Sequence, residues 1–409
     1  MEKSYPSIFF FSSSFPYRCM LSILDTDLYK ASVSYMYWHL YPLAEGTFTF
    51  NDRNKETYTE DFLQKLKLEF VKLGSLKLKD EEFEWAVKKI PYIPYTFWEW
   101  LKTFRFDFSK IDARLDSEGH LQIEVTDYLC KATWYEIPIL AIVSELRNKE
   151  RGYIANHDKM LEILEEKINF ANEHHLKFSE FGTRRRYSEY MHEEIVKILK
   201  EKCPIYCTGT SNMYFAMKYG MTPQGTYPHE NPMFHAACFG YRKANYLALE
   251  DWIDAYKGSL GTALIDTFTT PSFLRTLTRQ QALLLTGFRQ DSGDEFKIGN
   301  LVIDRLKEFG IDPKTKVLVF SNALTFPKYK EIHDYFNGRI IVAAGIGTNI
   351  TCDPGIEGYK PANIVMKLTR ARVSRKDPWG ACIKISDDLG KHIGNQKEFE
   401  IAKHELNLD

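Results

Sequence analysis

Between residues 158 and 349 the chain repeats one pattern, a short apolar run followed by an amphipathic helix, and few folds accommodate it. The predicted strands are "PIYCTGT", "PQGTY", "TALIDTF", "LLLTGFRQD", "KVLVFSN" and "RIIVAAGIGTN". Predicted helices over 158–177, 187–202, 212–219, 235–256, 272–277, 296–309 and 326–336 alternate with them. That alternation implies right-handed crossovers and a parallel sheet. Six or seven such units in about 215 residues fit a closed α/β barrel better than an open doubly wound sheet.

Just past the predicted strands stand Thr210-Ser211-Asn212, His229-Glu230, Asp266-Thr267, Arg289-Gln290-Asp291, Ser321-Asn322 and Gly345-Ile346-Gly347-Thr348. In a barrel these positions meet at one mouth, where this architecture builds its chemistry. In "GIGT" the glycines let backbone N–H groups approach an anion and Thr348 adds a hydroxyl donor, although a tight turn has the same letters. In "FGTRRR", Arg184, Arg185 and Arg186 suit a two-point grip on a carboxylate or phosphate, and Phe181 can stack on an aromatic ring. The alternative there is a solvated basic cluster at a helix start. In "RQDSGDE", Asp291 and Asp294 can accept from ribose hydroxyls or collect Mg²⁺ through water, or simply form a turn and a helix cap.

The expected organisation is an N-terminal extension over 1–20, an α+β domain over 21–132 that residues 365–409 can complete, and the α/β barrel over 133–364. The α+β domain shows a helix from Leu28 to His39, a strand "GTFTFNDR" and the alternating "LQIEV". The opening aromatic run is broken by serines and Pro16, which argues against a signal peptide, and Met20 is an alternative start.

Bulk properties exclude several classes. A net charge of −1 supplies no field to draw in nucleic acid or an anionic membrane, so any anionic substrate must be held by local donors. No stretch approaches the length of an apolar membrane span. Neither a phosphate-binding P-loop nor a dinucleotide fingerprint is present. Seven scattered cysteines without a C-x-x-C pair argue against a disulfide framework or a zinc site, and a cytoplasmic location is expected.

In order, "LDTDLYK", "SEFGTRRR", "GTSN", "GTYPHE", "LIDTF", "RQDSGD", "FSNAL", "GIGTN" and "KISDDLGKHIG" together resemble nicotinate phosphoribosyltransferase, from about Leu21 to Gly394. The resemblance implies an irregular barrel of the type II phosphoribosyltransferase kind. It also implies transfer of phosphoribose from 5-phosphoribosyl 1-pyrophosphate to nicotinate, with Mg²⁺ carried by substrate and no metal held by the protein alone. ATP is implied as co-substrate, hydrolysed through a phosphohistidine at His229, with Glu230 orienting the ring. Phe181 would stack on the pyridine, Arg184 would face its carboxylate, and Tyr29 would close the pocket from a neighbouring subunit of a homodimer. Arg289 and Asp291 would hold the ribosyl and pyrophosphate groups, and Gly345, Gly347, Thr348, Ser321 and Asn322 the 5′-phosphate. Thr210, Ser211 and Asp266 would complete the substrate pocket, with neutral Ser211 favouring nicotinate over nicotinamide. The chain departs from the family's usual pattern at Pro228, at Asn231-Pro232 and at Asn322, where an Asp is common. A nicotinamide or quinolinate enzyme, or a degenerate nucleotide-binding homologue, are the other readings.

Overall fold

The structure, a computed structural model, describes residues 19–408, so the expected N-terminal extension lies outside the described residues except for Cys19 and Met20, which are buried. β1 (Glu45–Asp52), paired on both edges, is buried over most of its length, whereas alternating burial marks β2 (Ile111–Leu115) and β3 (Leu121–Tyr128) as strands with one face on a core. Phe48, Phe50, Ile123 and Val125 belong to that core. The preceding helix Leu28–Leu40 is buried over most of its length, and its Leu28, Ala31 and Met36 join the same core.

The parallel strands are β4 (Phe178–Glu180), β5 (Cys207–Thr210), β6 (Thr262–Leu264), β7 (Gly287–Gln290), β8 (Val317–Phe320) and β9 (Ile341–Ile346). They lie in the order β5-β4-β9-β8-β7-β6. Gly287 is fixed by contact, because a Cβ there would stand 2.2 Å from the Val317 carbonyl oxygen on β8. A second apolar core packs this sheet against its helices, including Glu295–Glu308 and Phe326–Phe336.

Two sequence expectations change: one strand is lost and one helix is split. "PQGTY" is an extended segment joined to β5 by a single bridge, Thr210 to Pro223; a proline offers no ladder donor. Among the described residues no strand pair joins β6 to this segment to close a barrel. The helix expected over 235–256 is two helices, Glu230–Phe239 and Tyr241–Tyr256, separated by Gly240 at φ 87°. The first starts early because Pro232 falls in its opening turn, where an N–H would have no intrahelical partner.

After the parallel sheet the chain returns. β10 (Ile364–Arg372) pairs antiparallel with β1, setting Leu368 opposite Phe48 and Met366 opposite Phe50, and β11 (Gly380–Ala381) pairs with β10. The resulting sheet has the order β11-β10-β1-β3-β2. No described helix is long and apolar enough to cross a membrane.

The third arginine of "TRRR" is structural and is not part of an anion grip. Arg186 is fully buried; its Nη1 and Nη2 donate to Asp25 Oδ1 and Oδ2 at 2.8 and 2.9 Å, and Nη2 also reaches the Cys19 carbonyl at 2.7 Å. The guanidinium outweighs burial and holds the Asp25 carboxyl below its usual range. Removing one member of such a pair strands a buried charge. Arg186→Ala is therefore expected to destabilise the protein by about 3–5 kcal/mol, read from urea unfolding midpoints.

Candidate active site

The C-terminal ends of the parallel strands converge on a cavity of about 670 Å³. From them come Phe181, Arg184, Ser211, Asp291, Ser321, Asn322, Gly347 and Thr348, with Arg289 on β7 itself and Gly345 on β9. His229 and Glu230 enter at the start of helix Glu230–Phe239. The opposite wall belongs to the other sheet and its helices, through Tyr29, Phe48, Glu136 and Lys367. Thr210 and Asp266, expected to touch substrate, do not line the cavity: Thr210 is buried with its hydroxyl on Glu180 Oε2 at 2.5 Å, and Asp266 is buried beneath Lys384.

One end of the cavity suits a flat anionic ring. Gly345 lets the Phe181 ring lie against β9, since a Cβ there would stand 2.4 Å from ring carbons. Arg184 lines the cavity and, among the described residues, has no hydrogen bond or ion pair. Tyr29 lines the cavity of its own chain, where the sequence expectation drew it from a neighbouring subunit. Ser211 donates its hydroxyl to Asp27 Oδ1 at 2.6 Å, and burial pushes the Asp27 carboxyl up.

His229 sits in a cluster of charges. Its Nδ1 lies 3.1 Å from Thr267 Oγ1, and its Nε2 lies 3.2 Å from Asp291 Oδ2 and 3.0 Å from Lys384 Nζ. Lys384 Nζ also donates to Asp266 Oδ2 at 3.3 Å, and the Ser292 hydroxyl donates to the same oxygen at 2.5 Å. Burial, reinforced by the Lys384 charge, pulls the His229 imidazole down to about 4, so it is neutral at pH 7. Asp291 is held well below the usual carboxylate range: the imidazole contact and the charges of Lys384 and Lys391 outweigh its burial. The Ser321 hydroxyl donates to Asp291 Oδ1 at 3.1 Å.

Glu230 does not orient this imidazole, contrary to the sequence expectation. Its Oε2 takes Lys30 Nζ at 2.5 Å and its Oε1 takes the Thr133 hydroxyl at 2.7 Å, on the far side of the helix start. Asp291 stands where Glu230 was expected.

His229, Asp266 and Asp291 offer ligand atoms within 4.8 Å of one another, a donor set that Mg²⁺ accepts in principle. They do not fit a resident metal, because the Lys384 ammonium bonds to two of the three and already supplies the local cation.

Sequence reasoning missed Lys384 and Lys391, although both lie in the quoted "KISDDLGKHIG". Lys391 Nζ donates to the Asp291 carbonyl at 2.5 Å and to Asn322 Oδ1 at 2.6 Å, so the Asn322 amide oxygen serves the ammonium without a carboxylate's charge. It also missed Arg53 at the end of β1, Asp27, and Lys367 on β10, whose ammonium burial lowers to about 8. Nothing local to Lys367, Lys384 or Lys391 announces that the return strand β10 and the chain after it bring them to the cavity.

The chain matches two family descriptions, the nicotinate phosphoribosyltransferase (NAPRTase) N-terminal domain over residues 24–144 and the nicotinate phosphoribosyltransferase (NAPRTase) family over residues 176–409. It is 35% identical over 388 residues to a nicotinate phosphoribosyltransferase of Chromohalobacter salexigens, covering 95% of this chain and 98% of that protein. It is 33% identical over 402 residues to one of Methanosarcina mazei, covering 94% and 97%. The crystal structure of nicotinate phosphoribosyltransferase from Porphyromonas gingivalis superposes with a TM-score of 0.93 at 40% identity, covering 95% of this chain and all of that one. With both segments matched and the fold shared along its length, the chain belongs to the nicotinate phosphoribosyltransferase family.

Proposed function

We propose that the protein transfers phosphoribose from 5-phosphoribosyl 1-pyrophosphate to nicotinate, giving nicotinate mononucleotide and pyrophosphate in NAD salvage, with ATP hydrolysed through a phosphate carried on His229. Arg184 carries the reading: among the described residues its guanidinium forms no ion pair, and it lines the cavity together with Phe181 and Tyr29. The pyridine stacks between those rings, and its carboxylate accepts two N–H bonds from Arg184.

The ring nitrogen attacks C1′ of the ribose. The C1′–O bond breaks, pyrophosphate departs with the electron pair, and the ring becomes a pyridinium. Asp291 accepts from ribose hydroxyls. Gly345, Gly347 and Thr348, with Ser321 and Asn322, receive the 5′-phosphate, while Arg289 and Lys391 face the pyrophosphate and carry its developing charge. Mg²⁺ enters as the counter-ion of the pyrophosphate and of ATP, a setting in which it keeps its waters and needs few carboxylates. A neutral His229 accepts a phosphoryl group from ATP, and its later hydrolysis pulls the synthesis, each tenfold gain needing about 1.4 kcal/mol. Thr210 and Asp266 act from behind the wall, through Glu180 and Lys384. A homodimer is part of the reading, with Tyr29 lining the cavity of its own chain. No disulfide joins the seven cysteines, which fits a cytoplasmic enzyme.

One observation favours a second reading. Asp27, behind Ser211, supplies an acidic acceptor suited to the amide of nicotinamide.

Product formation with nicotinate, nicotinamide or quinolinate, each with and without ATP, separates these readings. Nicotinate mononucleotide made faster with ATP is expected, whereas product from nicotinamide alone would transfer the role to Asp27. Arg184→Ala loses a charge-assisted grip of about 1.5–3 kcal/mol, so KM for nicotinate should rise about 10- to 150-fold with kcat less affected. His229→Ala should abolish the acceleration by ATP and leave slow transfer; an unchanged response to ATP would refute the phosphoacceptor role.

The pH dependence of protein labelling by γ-labelled ATP follows from the depressed imidazole. The neutral ring persists until pH approaches about 4, so labelling should stay level from pH 7 to 5 and fall only below that. An ordinary exposed histidine would begin to fail near 6.5.

A further inference from the structure

Nε2 of His229 has two hydrogen-bonding neighbours that make opposite demands, and Asp266 Oδ1, buried and without a hydrogen-bond partner among the described residues, stands farther off at 3.8 Å. Lys384 Nζ at 3.0 Å is a donor only and needs a lone pair, whereas Asp291 Oδ2 at 3.2 Å is an acceptor and needs a proton. One nitrogen cannot satisfy both. A hydrogen on Nε2 would point toward a buried ammonium, the costlier arrangement, since Lys384 is only about 5% exposed and has one other hydrogen-bond acceptor here, Asp266 Oδ2. Asp291 loses less, because its side chain is about 29% exposed and water can serve the carboxylate. On the far side of the ring, Thr267 Oγ1 at 3.1 Å can accept from a protonated Nδ1.

The backbone ties both partners together. The N–H of Ile385, next to Lys384, donates to the Thr267 carbonyl at 2.9 Å, and the Ile385 carbonyl accepts from the Thr269 N–H at 2.9 Å. One short pairing therefore sets the group on each imidazole nitrogen.

We propose that Lys384 is the resident cation of the His229, Asp266 and Asp291 cluster and that it fixes His229 as the Nδ1–H tautomer, leaving Nε2 as the atom that takes the phosphoryl group. The phosphoryl part rests on the reading of His229 as the acceptor from ATP; the tautomer and the cation do not. In the transfer, Lys384 gives up Nε2 and keeps Asp266. The Nε2 lone pair forms the bond to the γ-phosphorus, the bond from that phosphorus to the β,γ-bridging oxygen breaks, and ADP leaves with the electron pair. The Nδ1 proton stays on the ring beside Thr267, so no base is required.

The test uses the full chain with ¹⁵N-labelled histidine and no ATP. Two-bond proton–nitrogen spectra, with the His229 signal assigned by its loss in His229→Asn, are expected to show the Nδ1–H tautomer in the wild type. In Lys384→Met they are expected to show a switch to Nε2–H, donating to Asp291, while the other histidine signals stay in place. An Nε2–H ring in the wild type, or an unchanged tautomer in a folded Lys384→Met, overturns the proposal. If that variant does not fold, the wild-type spectrum decides.

Electron paramagnetic resonance with Mn²⁺ alone tests the cation. Wild-type protein without substrate should bind none at micromolar concentration, and a tight wild-type site that Asp291→Asn removes would overturn the claim. With ATP added, Lys384→Met should label roughly 10²-fold more slowly. A wild type that never labels sinks the ATP reading and leaves the tautomer result to stand by itself.

Discussion

A lysine ammonium sealed from water must be matched by opposite charge, and Lys30 is matched by two carboxylates at once. It bonds to Glu136 and Glu230 and donates also to Thr133 Oγ1 at 3.0 Å, while Lys367 approaches Glu136 at 3.6 Å. Lys30 and Lys367 outweigh burial and hold the Glu136 carboxyl down to about 2, whereas burial pushes the Glu230 carboxyl up. The four residues come from the helix Leu28–Leu40, the helix Glu136–Glu150, the helix Glu230–Phe239 and β10. Such a cluster adds little net stability over apolar packing, but losing one member strands the rest, so it acts mainly on geometry. Its geometric product is the position of Glu230, and with it the backbone of His229.

That arrangement explains why the acid next to His229 in sequence is not the acid beside it in space. Glu230 is committed to Lys30, which leaves the imidazole to Asp291 and Lys384. The same logic reconciles a net charge of −1 with an anion-binding cavity. Arg53, Arg184, Arg185, Arg289, Lys367, Lys384 and Lys391 all line one space of about 670 Å³, so the cation is concentrated where it is used and cancelled elsewhere. In a partly enclosed cavity each of these charges acts through less water than it would at the surface.

Much of the fold was legible because periodicity is local. The helix expected over 326–336 matches Phe326–Phe336, and Gly220 ends its helix at φ 60° as a C-terminal glycine should. The strand ends also pointed to His229, Arg289 and Asp291, and the motif "FGTRRR" to Phe181 and Arg184, all of which line the cavity, since polar residues past an apolar run and a short basic cluster are visible in one dimension. What was not legible depends on pairing across the chain. Arg186 reads like its two neighbours and differs only because Asp25 waits behind it. Tyr29 was assigned to another subunit because nothing in "TDLYK" says that the helix start docks on the 222–226 segment, where Gly225 leaves room for it.

The last part of the chain makes this distance matter. Lys384 reaches His229 across 155 residues, and Lys391 reaches Asn322 across 69. Both lysines follow β10 in the chain, and the pairing of β10 with β1 carries the chain back over the cavity. Loop closure over such separations is paid once, in entropy that grows only slowly with length. The antiparallel sheet therefore does more than cover the parallel one. By holding β10 it delivers Lys367 directly and the Lys384–Lys391 segment indirectly, so damage to the β1–β10 register should remove cations from the cavity before it disturbs the parallel strands that hold His229 and Asp291.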